Sequence, residues 1–233
     1  MKFPAIFVVV AWAAAAAPAA TLDSDYADNP AYADGLKPGE DGSSEPSFLG
    51  GWTMGEGVAD RKFSIDSSLG LGAGALGLDR QSKAFKLHDT GGGYVDLFRF
   101  IDPLGLETGE TFSLDLAVNF RGGYKGFDVR DAAENALFTF NIGNDDYVVS
   151  KAATGNGSIG NAYAARTLFN VRFTQNSATG GTWRLVRSGA ITHSVTGTYS
   201  GRIRSIKLYN GGQRDIPEDA LYFNNLLITS SAP

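Results

Sequence analysis

Thr111-Phe112-Ser113-Leu114-Asp115-Leu116-Ala117-Val118-Asn119-Phe120-Arg121 alternates apolar and polar side chains along its length. Phe112, Leu114, Leu116, Val118 and Phe120 fall on one side of an extended chain. Thr111, Ser113, Asp115, Ala117, Asn119 and Arg121 fall on the other. A period of two marks a strand with one face on a core, because successive Cβ atoms point to opposite sides of the pleat. The alternation returns at Phe138-Phe140-Ile142, at Phe169-Val171-Phe173 and at Leu221-Phe223-Asn225-Leu227. Further strands are predicted over 62–66, 83–88, 93–101, 124–130, 146–151, 182–187, 191–199 and 202–209.

Turn signals separate these segments: Gly91-Gly92-Gly93, Gly122-Gly123, Asn144-Asp145, Asn156-Gly157, Gly180-Gly181 and Asn210-Gly211-Gly212. Tight hairpins need positive φ, which glycine adopts freely, so much of the glycine content is turn chemistry. Many strands with no amphipathic helix among them predict an all-β fold, a two-sheet antiparallel jelly-roll sandwich. A parallel α/β sheet would need crossover helices that the pattern lacks.

Composition narrows the function. The chain has 233 residues, 43% hydrophobic and 12% aromatic, enough for a sizeable core. It has no cysteine, which excludes disulfide staples, thiolate zinc sites, thiol nucleophiles and iron–sulfur clusters. A net charge of -5 argues against nucleic acid, whose phosphates need a concentrated basic face. Lys2, the apolar run Ile6 to Ala17 and the small-x-small Ala17-Pro18-Ala19 form the pattern of a cleaved signal peptide over 1–19. That apolar run falls short of the roughly 20 residues that span a bilayer, so no membrane span is expected. The expected product is an exported domain over 20–233, secreted or periplasmic/extracellular.

Several motifs read as structure. Gly72-Ala73-Gly74-Ala75-Leu76-Gly77 spells a dinucleotide fingerprint, but that site needs a strand before the glycines and a helix starting at them. Here a strand follows, and a flexible glycine loop is expected. His88 and His193 lack metal-ligand spacing, and no Gly-x-Ser-x-Gly elbow is present. A glycosidase needs two opposed carboxyl groups, and Asp115 has no glutamate beside it on its strand.

Two constellations carry candidate sites. Residues 21–50 hold seven acids, among them Asp25, Asp28 and Asp34, interleaved with Pro30, Gly35, Pro38 and Gly39. This acidic loop segment offers hard oxygen ligands for a structural calcium ion, with Asp219 as a distal ligand clamping the N-terminal segment to the last strand. Asp115, Asn119 and Arg121 share an outward strand face, and Asn141, Asn170, Arg172 and Arg184 are expected beside them on other strands. With an aromatic such as Trp183, Tyr94 or Tyr124, they predict a surface that reads sugars.

Asp25-Tyr26-Ala27-Asp28-Asn29-Pro30-Ala31-Tyr32-Ala33-Asp34-Gly35, then Gly50-Gly51-Trp52, Ser82-Lys83-Ala84-Phe85-Lys86-Leu87, the Thr111 strand and Leu221-Tyr222-Phe223-Asn224-Asn225-Leu226 occur in that order. In this the chain resembles exported bacterial β-sandwich proteins of the concanavalin A-like or LamG-like kind. Members of that group often carry a Pro-Glu-Pro sorting tail, which this sequence lacks. The resemblance implies the fold and export, and glycan binding by analogy with lectin-like members of the fold. The expected function is therefore a secreted, non-catalytic module for polysaccharide or cell-surface glycan, calcium-stabilised. The alternatives are a carbohydrate-active hydrolase or lyase with acids drawn from separate strands, and a structural envelope or matrix protein.

Overall fold

A computed structural model describes residues 19–44, 46–55, 61–89, 93–118, 122–143, 146–160, 162–164, 166–212 and 219–230. The proposed signal peptide, apart from Ala19, and the candidates Asn119 and Arg121 lie outside these residues. In chain order the strands are β1 (Thr21–Asp25), β2 (Phe48–Met54), β3 (Arg61–Asp66), β4 (Ala84–Asp89) and β5 (Tyr94–Ile101). Then follow β6 (Glu110–Val118), β7 (Tyr124–Arg130), β8 (Ala136–Gly143), β9 (Asp146–Ser150) and β10 (Gly157–Ser158). The last are β11 (Thr167–Ser177), β12 (Gly180–Gly189), β13 (His193–Ser200), β14 (Ser205–Gly211) and β15 (Leu221–Ser230).

They form two antiparallel sheets in a jelly-roll sandwich. One sheet runs β13-β12-β11-β6-β15-β4-β3, with β1 also pairing to β15. The other runs β10-β9-β8-β7-β14-β5-β2. On β6 the period of two does what it predicts: Phe112, Leu114 and Leu116 are fully buried between the sheets. They stand opposite Phe173, Val171 and Phe169 of β11, and Phe173 meets Phe138 of the facing sheet edge to face at 5.0 Å. Burial of these rings drives the sheets together, at about 25 cal/mol per Å² of apolar surface.

The glycine-rich loop is not a loose connection. Its two 3-10 turns end on Gly72 (φ 72°) and Gly77 (φ 94°), while Ala73 and Leu78 are fully buried against Ala117 on the outer side of β6. Asp79 accepts hydrogen bonds from Ser67 and Ser68 at the loop's start. A bulge in β15, where Asn225 takes a positive φ of 57°, holds the other end. There Asn224 Nδ2 donates to Leu78 O and Asn225 Nδ2 to Gly77 O, each at 3.0 Å.

The acidic N-terminal segment is also built into the fold: it contains β1 and the start of β2. Asp23 is buried and accepts from the backbone N–H groups of Ser44 (3.1 Å) and Phe48 (2.8 Å). Asp25 turns inward and meets Arg99 of the opposite sheet, with Nε 3.0 Å from Oδ2. Its Oδ1 accepts from the Tyr32 hydroxyl at 2.7 Å, and that hydroxyl in turn accepts from Trp52 Nε1 and Gly42 N–H. Arg99 also reaches Asp41 and packs over the rings of Phe48 and Trp52.

Burial pushes the Asp25 carboxyl up to about 6 from the usual 3.8, although Arg99 and the Tyr32 hydrogen bond oppose the rise. The folded protein therefore holds a proton that the unfolded chain releases between those two values. The stability tied to this group falls as pH rises from about 4 to about 6, and is level above that. Measured against Asp25→Asn in urea, the wild type is expected to lose about 3 kcal/mol across that window. Parallel stability–pH curves for the two proteins would contradict this.

Candidate functional site

The four acids expected to bind calcium are not brought together. Asp25 faces Arg99, Asp28 pairs with Arg80 at 3.3 Å, and exposed Asp34 pairs with Lys37. Asp219 is buried near β14, its backbone carbonyl accepting from Lys125 Nζ and Asn210 Nδ2. Among the described residues no group of three or more acids or histidines is arranged to hold a metal ion. The clamp between the N-terminal segment and the last strand is made by the chain itself, through the β1–β15 ladder.

The expected sugar surface is divided between the two outer faces. Asp115, Asn170, Arg172 and Arg184 share the outer face of the β6 sheet. Asp115 is occupied there: its oxygens accept from Asn170 Nδ2 at 2.6 Å and Asn225 Nδ2 at 2.8 Å. Burial raises its pKa, and those two amides and then the charge of Arg172 oppose the rise. Trp183 is no platform. It points inward, 2% exposed, edge-on to Phe138, with Nε1 donating to Thr154 O. The alternation of Trp183 with Arg184 and Leu185 carried that signal, since Leu185 is an obvious core residue.

Asn141, Tyr94 and Tyr124 lie instead on the outer face of the other sheet, where they belong to a more complete constellation. In register across β5, β14 and β7, Tyr94 stands beside Gly211, and Gly211 beside Tyr124. The next row is Asp96, Tyr209, Gly126 and Asn141; the one after is Phe98, Lys207, Asp128 and Thr139. Outward positions on three strands thus converge on a trough of about 330 Å³ lined by Tyr94, Asp96, Tyr124, Asp128, Lys207 and Tyr209.

Glycines shape the floor. A Cβ on Gly211 would lie 2.8 Å from both the Tyr124 ring and Tyr94 Cβ, so the two tyrosines form one ledge only because that side chain is missing. They are 38% and 46% exposed, unlike the other large aromatics of the sheet interior. Below the ledge, Lys207 Nζ is 3.3 Å from Asp96 Oδ2 and 3.9 Å from Asp128 Oδ2. Asp128 also accepts from Arg130 and Thr139, each at 2.9 Å. The Tyr209 hydroxyl contacts Asn141 Oδ1 at 3.2 Å and Phe140 O at 3.3 Å. Its phenol pKa is raised, first by burial and then by Asp128 and Asp96. The arrangement offers an aromatic face beside fixed donors and acceptors, all on rigid strands. Sequence reasoning missed Asp96, Asp128, Lys207 and Tyr209 because their convergence depends on inter-strand register.

No family model matches the chain, and no curated protein matches it significantly. Solved structures similar to it are β-sandwich proteins. A sialidase shares 15% identity over 77% of this chain, with a TM-score of 0.49, and the chain spans 17% of that protein. A PL-14 alginate lyase from Aplysia kurodai shares 12% over 76% of this chain and 90% of its own, at 0.44. The galectin LEC-6 of Caenorhabditis elegans shares 17% over 53% of this chain and 84% of its own, at 0.34. At these identities the likeness is one of architecture, and the chemistry of the trough has to be taken from its own side chains.

Proposed function

We propose that this protein is an exported, non-catalytic glycan-binding module whose site is the Tyr94–Tyr124 trough. The carrying observation is the exposed tyrosine ledge over Gly211 set directly beside Asp96, Lys207 and Asp128. A sugar ring has apolar C–H faces that pack on an aromatic surface and an equatorial rim of hydroxyls that pair with fixed polar groups. The trough provides both, in adjacent cross-strand rows. The Lys2 to Ala19 pattern of a cleaved signal peptide supports export. Among the described residues no helix is long and apolar enough to cross a membrane.

The non-catalytic reading has its own support. A hydrolase or lyase needs an acid and a base placed to act on the substrate. In the trough Asp96 is paired with Lys207 and Asp128 with Arg130, contacts that fix both carboxylates as acceptors for hydroxyl groups. Reducing-sugar or unsaturated-product release from a polysaccharide panel would overturn it.

Binding is tested on a glycan array followed by titration calorimetry with the best ligand. Tyr94→Ala and Tyr124→Ala are each expected to weaken affinity by about 1–2 kcal/mol, roughly 5–30-fold, with the melting temperature little changed. Full affinity in the double variant would remove the trough from the function.

A further inference from the structure

We infer that the outer face of the β6 sheet carries a second site, for the carboxylate or sulfate groups of an acidic polysaccharide, built on Arg172 and Arg184. The two arginines stand directly opposite each other on β11 and β12. Both are exposed. Like charges directly opposed across a ladder destabilise a sheet. Such pairs are ordinarily relieved by a neighbouring carboxylate, and this chain has an excess of acids, 25 against 20 basic residues. Yet among the described residues neither arginine takes part in an ion pair. Asp115, one row away, senses the charge of Arg172 without pairing with it, and its oxygens are held by Asn170 and Asn225. Arg184 Nε meets the hydroxyl of Ser194 at 3.3 Å.

The surroundings suit an oxyanion. Arg172 and Arg184 line a groove of about 520 Å³ together with Thr174, Thr182, Thr196 and Thr198. Thr229, Thr111, Thr174, Thr182 and Thr198 occupy one cross-strand row over β15, β6, β11, β12 and β13. At a strand spacing of about 4.8 Å, that hydroxyl row extends about 19 Å beside the arginines. Guanidinium forks bind planar or tetrahedral oxyanions bidentately, and hydroxyls supply further donors. A small anion would use only the arginine pair, whereas a linear polyanion would also follow the hydroxyl row. The inference is independent of the tyrosine trough, which lies on the other sheet.

The test is affinity electrophoresis of the full chain through gels containing polygalacturonate, dextran sulfate or neutral dextran. The expected result is retardation by at least one polyanion, none by neutral dextran, and progressive loss of retardation with added salt. Retardation by polygalacturonate assigns carboxylate as the recognised group, and retardation by dextran sulfate assigns sulfate. Arg172→Gln and Arg184→Gln should each weaken it tenfold or more, while Tyr94→Ala with Tyr124→Ala leaves it unchanged. Because each glutamine relieves a like-charge contact, both variants should melt at or above the wild-type temperature, so lost binding will not reflect lost folding. Retardation by neither polyanion, or equal retardation of wild type and both arginine variants, overturns the inference.

Discussion

Arg99→Met is expected to lose about 3–5 kcal/mol of folding stability at pH 7 and to regain part of it by about pH 5. The guanidinium is fully buried, as is the Asp25 side chain it faces across the sandwich. Removing the cation leaves a carboxylate in the core with the Tyr32 hydroxyl as its remaining close partner there. Asp25 already titrates near 6 with the arginine present, and without it the group moves further up. Lowering the pH neutralises the stranded charge, so the penalty shrinks as acid is added, opposite in sense to ordinary acid denaturation. Urea unfolding at the two pH values measures this directly. A loss that is small at pH 7, or equal at both, would show that the pair is not a tightly coupled buried contact.

Gly126→Ala is the second large effect, about 2–5 kcal/mol. Gly126 has φ of +148°, and a Cβ there would lie 1.9 Å from the carbonyl oxygen of Phe140 on the adjacent strand. Backbone cannot rotate away as a flexible side chain can, so the β7–β8 ladder must open. The same Cβ would come within 3.1 Å of the Tyr209 hydroxyl, so glycan affinity should fall together with stability. Gly35→Ala is the matched control: φ is +100°, but nothing lies within 4 Å. It should cost about 1 kcal/mol from backbone strain alone and leave binding intact. Thermal melting of the pair checks the contrast, and equal losses would refute it.

The strands were legible because a single amphipathic face leaves its period in the sequence, as β6 and β11 illustrate. The N-terminal strands were not. Thr21-Leu22-Asp23-Ser24-Asp25 reads as polar because two of its inward residues are acids; Asp23 is held by the backbone N–H groups of Ser44 and Phe48, and Asp25 by Arg99 from the opposite sheet. Asp25 therefore looked like a ligand for a metal cation when it meets a cation of the chain itself. Arg172 and Arg184 could be placed on outward positions from alternation, but their direct opposition rests on the β11–β12 register. Asp96, Lys207 and Asp128 are ordinary outward residues until β14 is inserted between β5 and β7.

β15, the last strand in sequence, lies inside its sheet with β6 on one side and β4 and β1 on the other. A nascent chain that has not yet produced residue 221 therefore holds that sheet in three unjoined pieces: β13-β12-β11-β6, β4-β3 and β1. The loop over Ala117 also waits on Asn224 and Asn225 for its anchors. The β6 sheet closes only when the final strand slots in, so a chain truncated before residue 221 would leave that sheet unjoined while the other sheet keeps all of its strands.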